Sequence, residues 1–398
     1  MDILREYHQN LISQIDNYFF RSLMESIKWN QRMVAIKGPR GSGKTTLMLQ
    51  YIRYKLKKPA DQVLYITADH YWFYTHSIVE TAEIFFKQGG RYLFIDEVHK
   101  YPQWSRELKN IYDGFPQIQL VFSSSSALDI YRGEADLSRR VITYELPGLS
   151  FREYLALSGN ANFVALKWEQ IIHSPSEITE SVLEKLQPLS YFKKYLHWGY
   201  LPFFEKGAND ELPVRINQMI NTVIESDLGF IKDYSSGTAF KVKKLLGVLA
   251  ESAPFKPNIA ALARKLDVSR ESIYSWLTHL EKARMLNLLQ AKGKGISLLQ
   301  KPEKVYLENT NLAYALKQSP DIGTIRETFL LNQLINHKME VSLPLNGDFF
   351  TKGVHIEVGG KSKSSKQVKN EYQHIIAADN IERSIGNKIP LWLFGFLY

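Results

Sequence analysis

Residues 33–45 read MVAIKGPRGSGKT, and this stretch decides the fold of the first part of the 398-residue chain. The apolar run at 33–37 predicts a buried strand, and GPRGSGKT at 38–45 fits the pattern G-x-x-x-x-G-K-[ST] at every fixed position. A helical pattern follows at 44–57. A glycine-rich turn that matches by chance is the alternative, and the order of strand, loop and helix argues against it.

The residue types in this loop suit the binding of a nucleotide. Glycines lack the β-carbon that would keep the chain from curling round a phosphate, and the helix that follows turns its positive end toward it. Lys44 is expected to reach the β- and γ-phosphates, and the Thr45 hydroxyl is expected to bind Mg²⁺. We predict that the nucleotide contacts a continuous set of loop residues: Gly38, Pro39, Arg40, Gly41, Ser42, Gly43, Lys44, Thr45 and Thr46.

Four more short apolar runs predict further strands of the same sheet. They lie at 63–67, 92–95, 118–122 and 141–145. Helix-length stretches separate them, and continuous apolar strands that alternate with helices imply a parallel sheet covered on both faces. The predicted fold class is therefore α/β, with the parallel sheet of a P-loop NTPase, followed by a helical region from about residue 150.

An acidic pair follows the predicted strand at 92–95, where the sequence reads YLFIDE. Ligands bind at the carboxyl ends of such strands, so Asp96 and Glu97 are expected to lie beside the loop. Asp96 would hold Mg²⁺ through a water, and Glu97 would act as the general base that polarises the attacking water. A solvated strand end is the alternative.

Two further features are candidates for contact with the γ-phosphate. The serine run Ser123–Ser126 follows a predicted strand, and we predict that Ser124 senses the bound phosphate, with a serine-rich turn as the alternative. Arg139 and Arg140 precede the last predicted strand. We predict that Arg140 stabilises transition-state charge, in cis or from a neighbouring subunit of a homo-oligomer, with an ordinary surface arginine pair as the alternative.

Together these stretches resemble a known family, the prokaryotic AAA-type ATPases that pair a P-loop domain with a winged helix and a C-terminal restriction-endonuclease-like domain of unknown function. The matching stretches are GPRGSGKTTL (38–47), LFIDEVHKYPQWSRELKNIYD (93–113), VFSSSSALDI (121–130), LSRRVITYELPGLSFREYL (137–155), YLHWGYLP (195–202) and KVYLENTNLAYAL (304–316). The resemblance implies ATP rather than GTP. One departure is Ser124, which stands where this family usually has the glycine of a Thr-Gly-Ser-Ser sequence.

The basic residues are concentrated in the C-terminal part of the chain. Of the 50 Lys+Arg and 41 Asp+Glu, residues 241–398 hold 23 and 14, a net of 23 − 14 = +9, which leaves 27 and 27 for residues 1–240. A polyanion such as double- or single-stranded DNA would be attracted first to residues 241–398. A charge that only aids solubility is the alternative.

Residues 240–300 carry a winged helix-turn-helix pattern. Helices are predicted at 241–252, at 258–266 and after Ser269, which can cap the third helix. The segment MLNLLQAKGKGISLLQ (285–300) then predicts two strands joined by a basic wing. In a DNA-bound winged helix, base edges would meet Arg270, Ser272, Tyr274 and Ser275, and phosphates would meet Lys292 and Lys294. A packing module without DNA contact is the alternative.

The final segment resembles the restriction-endonuclease-like domain, which needs carboxylates for a metal ion and a lysine. The matching acids are Glu327, Asp348 and Glu357. The lysine expected two residues after the last acid is missing, since Gly359 stands there, and Lys361 is the nearest substitute. We therefore expect no nuclease activity, while a basic loop with Lys361, Lys363, Lys366 and Lys369 remains a candidate for phosphate contact.

The composition excludes several classes of protein. The chain has no cysteine, which excludes disulfide scaffolds, thiolate zinc sites and cysteine nucleophiles. A polar N-terminus and the lack of a long apolar run predict a cytoplasmic protein without a membrane span. The predicted domains are a P-loop AAA-type ATPase domain at 1–148, a helical lid or connector at 149–238, a winged helix-turn-helix at 239–312 and an endonuclease-like α/β domain at 313–398.

The predicted function is that of a Mg²⁺-dependent ATPase whose basic C-terminal half couples the nucleotide state to DNA or another polyanion. Lys44 and Glu97 would carry the catalysis, with ATP and Mg²⁺ as the bound groups. The alternative is a regulatory switch, in which ATP sets a conformation and hydrolysis is slow.

Overall fold

The chain forms two compact units, Met1–Gly148 and Leu149–Tyr398. The computed structural model describes residues 1–124, 137, 139–206, 211–231, 234–252, 254, 256–291, 302–363 and 373–398. The finer predicted division of residues 149–398 into three domains stays a prediction.

The first unit is built on a parallel sheet of five strands in the order β2-β3-β4-β1-β5. The strands are β1 Met33–Lys37, β2 Val63–Thr67, β3 Tyr92–Asp96, β4 Gln119–Ser124 and β5 Ile142–Glu145. β1 lies between β4 and β5, with Val34 opposite both Val121 and Ile142. The predicted α/β class with a parallel sheet is confirmed.

Helices cover both faces of this sheet, which is why its central strands are apolar on both sides. They are α1 Asp2–Ser13, α2 Leu23–Ser26, α3 Lys44–Gln50, α4 Ile78–Lys87 and α5 Trp104–Gly114. One core contains Leu64, Ile95 and Phe122 with α4 and α5, and the other contains Val34, Ile36 and Phe94 with α3. Alternate residues of one strand therefore enter opposite cores.

The edge strand β2 is protected by a side chain of α1. The backbone N–H of Tyr65 donates to Nδ1 of His8 at 2.9 Å, and His8 is 9% exposed. A strand edge otherwise leaves such donors unpaired. Burial lowers the pKa of His8 to about 4, so the ring is neutral and can accept this hydrogen bond at neutral pH.

The second unit begins with short helices and ends with a small mixed sheet. Its helices are α6 Phe151–Leu157, α7 Trp168–His173, α8 Pro175–Leu183, α9 Pro188–Lys194, α10 Leu212–Thr222, α11 Ser236–Ser252, α12 Ile259–Leu266, α13 Arg270–Lys282, α14 Thr310–Leu316 and α15 Ile322–Asn336. Its strands are β6 Leu286–Leu289, β7 Lys304–Leu307, β8 Phe349–Thr351, β9 Val354–Gly359, β10 Gln373–Ala378 and β11 Lys388–Pro390. β8 to β11 form one sheet, in which β8 is antiparallel to β9 and the other pairs are parallel.

The three helices predicted from residues 240–282 are present, and β6 pairs with a strand that the sequence analysis did not predict. The Ser269 hydroxyl accepts from Ser272 N at 3.1 Å, which confirms the predicted cap of α13. β6 pairs in antiparallel fashion with β7 at Lys304–Leu307. The strand predicted at 296–300, with Lys292 and Lys294 of the wing, lies outside the described residues.

Two of the stretches that carried the family resemblance meet at one buried carboxylate. Glu308 is fully buried, and its Oε1 accepts from the Tyr200 hydroxyl at 2.9 Å and from Asn332 Nδ2 at 3.1 Å. Arg284 lies 3.1 Å from the same oxygen. Removal of one partner would leave a buried charge without compensation, so these stretches serve first to hold the second unit together.

Among the described residues, no helix is both long enough and apolar enough to cross a bilayer.

Candidate nucleotide-binding site

The loop between β1 and α3 needs glycine at three positions for two different reasons. Gly41 and Gly43 have φ angles of +81° and +93°, in the left-handed region that favours glycine. Gly38 has an ordinary φ, but a β-carbon there would lie 2.1 Å from the carbonyl oxygen of Leu146. The loop therefore curls tightly and packs against the chain that follows β5.

Lys44 turns its side chain back into the curve of the loop. Its Nζ donates to the carbonyl oxygens of Gly38 and Pro39 at 2.9 and 3.0 Å, and the residue is only 6% exposed. Lys44 is also the first residue of α3, so its positive charge lies beside the positive end of that helix. A cation and the N-terminal end of a helix in one concave loop favour a phosphate group.

The loop and the acidic strand end come together at Thr45 and Asp96. The Thr45 hydroxyl donates to Oδ2 of Asp96 at 2.5 Å, and the Tyr65 hydroxyl donates to the same oxygen at 2.7 Å. Ser123 Oγ and the Glu97 N–H donate to Oδ1. A fixed carboxylate beside a hydroxyl supplies the hard oxygen ligands that Mg²⁺ takes, so these residues fit that ion.

Glu97 follows directly and has an ion-pair partner of its own. Its Oε2 lies 2.6 Å from Lys100 Nζ, and Lys100 also lies 2.5 Å from Asp69, just beyond the end of β2. Burial by itself raises the pKa of Glu97, but the hydrogen bond and the charge of Lys100, together with the charge of Arg40, bring the pKa below its usual value. Glu97 is therefore ionised at neutral pH, as a general base must be.

The serine run contributes through two neighbouring residues of β4, which point to opposite faces of the sheet. Ser123 contacts Asp96, whereas Ser124 Oγ lies 3.2 Å from Nδ1 of the buried His99. Burial is the largest cause that lowers the pKa of His99, to about 4, so this ring is neutral. The predicted contact of Ser124 with nucleotide stays a prediction, and Ser125 and Ser126 lie outside the described residues.

Arg140 lies at the opposite end of the strands from the loop. Its guanidinium makes two hydrogen bonds with Asp113, at 3.0 and 3.1 Å. It comes two residues before β5, whose first residue Ile142 is opposite Val34, while the loop begins at Gly38. At about 3.3 Å per residue the separation is roughly 20 Å, so Arg140 does not reach the loop of its own chain.

One buried arginine at the loop was not predicted from the sequence. Arg21 is 6% exposed and donates to the carbonyl oxygens of Ser42 at 2.6 Å, Pro147 at 2.8 Å and Gly148 at 3.0 Å. Gln50 of α3 likewise donates to the carbonyls of Asp16 and Phe19. The segment before α2 therefore lies along the loop and α3. No motif marks Arg21, since its partners are backbone atoms far away in the sequence.

Other predicted loop residues occupy different environments. Pro39 and Ser42 are buried, Arg40 is half-buried, and Thr46 is exposed on the first turn of α3. Ser42 Oγ is buried and makes no hydrogen bond within the part of the chain that the structure describes.

The three acids that the sequence analysis assigned to an endonuclease-like site do not assemble a metal site. Glu327 accepts from the Tyr306 hydroxyl at 2.8 Å, Asp348 accepts from Val358 N at 2.8 Å, and Glu357 lies 3.5 Å from His374. Within the described ranges, no group of three or more His, Asp or Glu side chains is placed to hold a metal ion. Lys363 pairs with Glu357 at 3.6 Å, whereas Lys361 contributes its carbonyl to Lys388.

Comparisons with known proteins agree with this site. A family described as an AAA domain matches residues 30–155, which contain the phosphate loop, Asp96 and Glu97. A second family, a domain of unknown function (DUF8612), matches residues 189–322. The AAA match points to ATP binding and hydrolysis in the first unit. Neither match bears on the predicted winged helix or on the endonuclease-like domain.

One relative covers almost the whole chain. The uncharacterized protein MJ1637 of Methanocaldococcus jannaschii is 27% identical over an alignment of length 410, which covers 96% of this chain and 83% of the relative. Two similar solved structures are the Walker-type ATPase PABY2304 of Pyrococcus abyssi (9% identity, 75% of this chain and 95% of that chain, TM-score 0.46) and the Hsp104–ADP complex of S. cerevisiae (16% identity, 71% and 41%, TM-score 0.33).

Proposed function

We propose that the first unit binds ATP and hydrolyses it with the help of Mg²⁺. The observation that carries this proposal is the 2.5 Å hydrogen bond from Thr45 to Asp96, because it joins the phosphate loop to the acidic end of β3. Glu97 follows Asp96 and is ionised. A phosphate site, a pair of metal ligands and a base are therefore adjacent.

Each residue has a distinct part in the proposed reaction. The loop N–H groups and Lys44 hold the β- and γ-phosphates, and the glycines keep the loop closely curled. Thr45 and Asp96 would hold Mg²⁺, which supplies charge neutralisation and orientation of the phosphates. Glu97 orients a water and accepts its proton, for which its carboxylate has to leave the ion pair with Lys100.

The test measures ATP binding and turnover separately, in purified full-length protein. Lys44→Ala is expected to abolish binding, and Glu97→Gln to keep binding while turnover falls by about 100-fold or more. Glu83→Gln is the matched control, because Glu83 also forms a 2.6 Å ion pair with a lysine, but on the exposed face of α4. Normal turnover in Glu97→Gln would refute the catalytic assignment.

We further propose that residues 239–312 form a winged helix that contacts DNA. The face of α13 with Ile273, Trp276, Leu277 and Leu280 is buried, which leaves Arg270 and Ser275 exposed on the other side. The net charge of residues 241–398 supports a polyanionic partner. Gel shifts with random double- and single-stranded DNA, with and without ATP, test this. We expect Arg270→Ala to weaken binding and affinity to fall with rising salt, and a salt-independent affinity would exclude phosphate neutralisation.

A second candidate function is an ATP-gated switch with slow hydrolysis. The bridge from Asp69 through Lys100 to Glu97 favours it, because a base held in an ion pair is less available to water. Turnover measured with and without DNA separates the two candidates. Strong stimulation supports a motor or remodeller, and a flat slow rate supports the switch.

In a homo-oligomer, Arg140 of a neighbouring copy is the candidate to stabilise charge at the γ-phosphate. Its distance from the loop of its own chain supports an action in trans over one in cis. The oligomeric state measured with and without ATP, together with a loss of turnover in Arg140→Ala, tests this assignment.

A further inference from the structure

The second unit contains a cavity of about 540 Å³ that the proposed ATPase does not use. Its lining includes Tyr154, Lys193, Lys194, His197, Trp198 and Phe204. Two of these residues, His197 and Trp198, belong to the stretch YLHWGYLP, whose Tyr200 binds Glu308 in the interior. Neighbouring residues of one stretch thus divide between the core and the cavity.

The aromatic side of the cavity is held firmly in place. His197 stacks on Tyr314, with ring centroids 3.8 Å apart and an angle of 26°, and Tyr154 lies 4.9 Å from Phe204. A β-carbon on Gly199 would lie 2.7 Å from the rings of both Tyr154 and Tyr195. Glycine at 199 therefore lets the chain approach these rings closely, while the half-buried Trp198 lines the cavity.

The polar side of the cavity is cationic. Lys193 and Lys194 are exposed at the end of α9, and neither forms an ion pair with any residue that the structure describes. Among the residues that the structure describes, no Asp or Glu lines the cavity. The pKa of His197 lies below its ordinary value, mainly because the ring is partly buried and secondly because Lys193 is positively charged. The local potential therefore favours an anion.

We propose that this cavity binds a nucleotide unit, with the base against the Trp198 ring and the phosphate at Lys193 and Lys194. Every nucleobase presents a π-face that stacks on aromatic side chains, and its phosphate lies next to it at the distance of one sugar. The cavity offers an aromatic wall and two exposed lysines, which is the same combination. The source is either a single strand of nucleic acid or a free nucleotide. This site is separate from the ATP site and does not depend on it.

The experiment uses the full-length protein and a six-residue thymidylate strand that contains one 5-iodouracil. Ultraviolet light should cross-link this base to the peptide with Trp198, which mass spectrometry identifies. Lys193→Ala/Lys194→Ala should weaken binding of the strand at least fivefold and remove this cross-link. The charge-matched control Lys28→Ala/Lys58→Ala changes two exposed lysines of the first unit. It should leave the affinity for the strand and the cross-link unchanged. Trp198→Leu should lose the cross-link, and hydrogen exchange like the parent's in peptides of the second unit away from the cavity shows that the variant is folded.

The competitor identifies the source of the nucleotide. Thymidine monophosphate that competes as well as the strand indicates a free nucleotide, and a strand that binds at least tenfold more tightly indicates a single strand. Any of three results would overturn the proposal. They are cross-links confined to other peptides, an affinity that the lysine substitutions do not change, and competition by an acidic tyrosine-containing peptide but not by thymidylate. Lys44→Ala should leave this binding intact, so a failure of the proposed ATPase is recognised separately.

Discussion

Lys100 lies 2.6 Å from the carboxylate of Glu97 and so holds the proposed general base in an ion pair. The same ammonium lies 2.5 Å from Asp69, and burial, which lowers the pKa of Lys100, is outweighed by the two carboxylates, which raise it. The three side chains connect the regions just after β2 and β3. The availability of Glu97 to a water therefore depends on this bridge.

Lys100→Ala is expected to change the pH dependence of ATP turnover. Burial continues to raise the pKa of Glu97 while the largest opposing influence is lost, so the pKa rises. The base is the ionised form, and the acid limb of the kcat profile should therefore move to higher pH. Lys87→Ala, which removes the matched surface pair with Glu83, should leave the profile unchanged. An acid limb at the same pH in Lys100→Ala would contradict the role of the bridge.

Thr45→Ala is expected to weaken the binding of ATP in the presence of Mg²⁺ by about tenfold or more, since an oxygen ligand of the metal ion is lost. Binding in the presence of a chelator should change little, because the loop N–H groups and Lys44 remain. Thr45→Ser keeps the hydroxyl and should restore the affinity. Calorimetric titrations with and without Mg²⁺ measure this, and an equal loss under both conditions would speak against a metal ligand at Thr45.

Arg21→Ala is expected to destabilise the first unit by about 3 kcal/mol, because three buried or partly buried carbonyl oxygens lose a charged donor. The affinity for ATP should fall as well, since Ser42 belongs to the loop. Hydrogen exchange of peptides from 33–47 and 142–148 measures the local effect. Arg5→Ala removes an arginine that is more exposed and serves as the control. Unchanged exchange in both peptides would show that Arg21 does not hold them together.

The first unit should lose stability as the pH falls from about 6.5 to about 4. His8 and His99 each have a pKa lowered from 6.5 to about 4, so in this range the unfolded chain binds protons that the folded chain does not. The free energy of unfolding therefore rises with pH up to about 6.5 and then levels off. Each histidine contributes on the order of 3 kcal/mol when fully expressed.

His8→Asn tests this directly, because the amide oxygen can still accept from Tyr65 N–H but does not titrate. The free energy of unfolding is measured with urea at several pH values, with hydrogen exchange in the peptide 63–67 as the local probe. In His8→Asn this free energy should rise less steeply with pH than in the parent protein. An identical slope would remove His8 from the explanation.

Much of the first unit could be predicted from local sequence. The runs MVAIK and YLFID are apolar because both faces of a parallel sheet are buried. The glycines at 41 and 43 indicate a loop with positive φ angles. The placement of Asp96 beside Thr45 follows from the rule that the carboxyl ends of parallel strands share one edge.

The features that were missed depend on contacts distant in sequence or on strand pairing. Arg21 binds backbone oxygens more than 100 residues away at the end of the unit, and backbone carries no residue signature. Whether Arg140 reaches the loop of its own chain could not be read from the sequence, because strand direction, rather than sequence distance, decides which end of β5 meets the loop. β7 was not predicted, because the run KVYL is short and only its pairing with β6 shows it to be a strand, while the strand predicted at 296–300 lies outside the described residues.

The three hydrogen bonds of Arg21 also have a mechanical consequence. One rigid guanidinium joins the carbonyl of Ser42 to those of Pro147 and Gly148, the last two residues of the first unit. A planar group of this kind cannot lengthen, so a displacement of the loop either strains these bonds or draws the exit of the chain with it. Loop movement is thereby transmitted to the point where the polypeptide leaves its first unit.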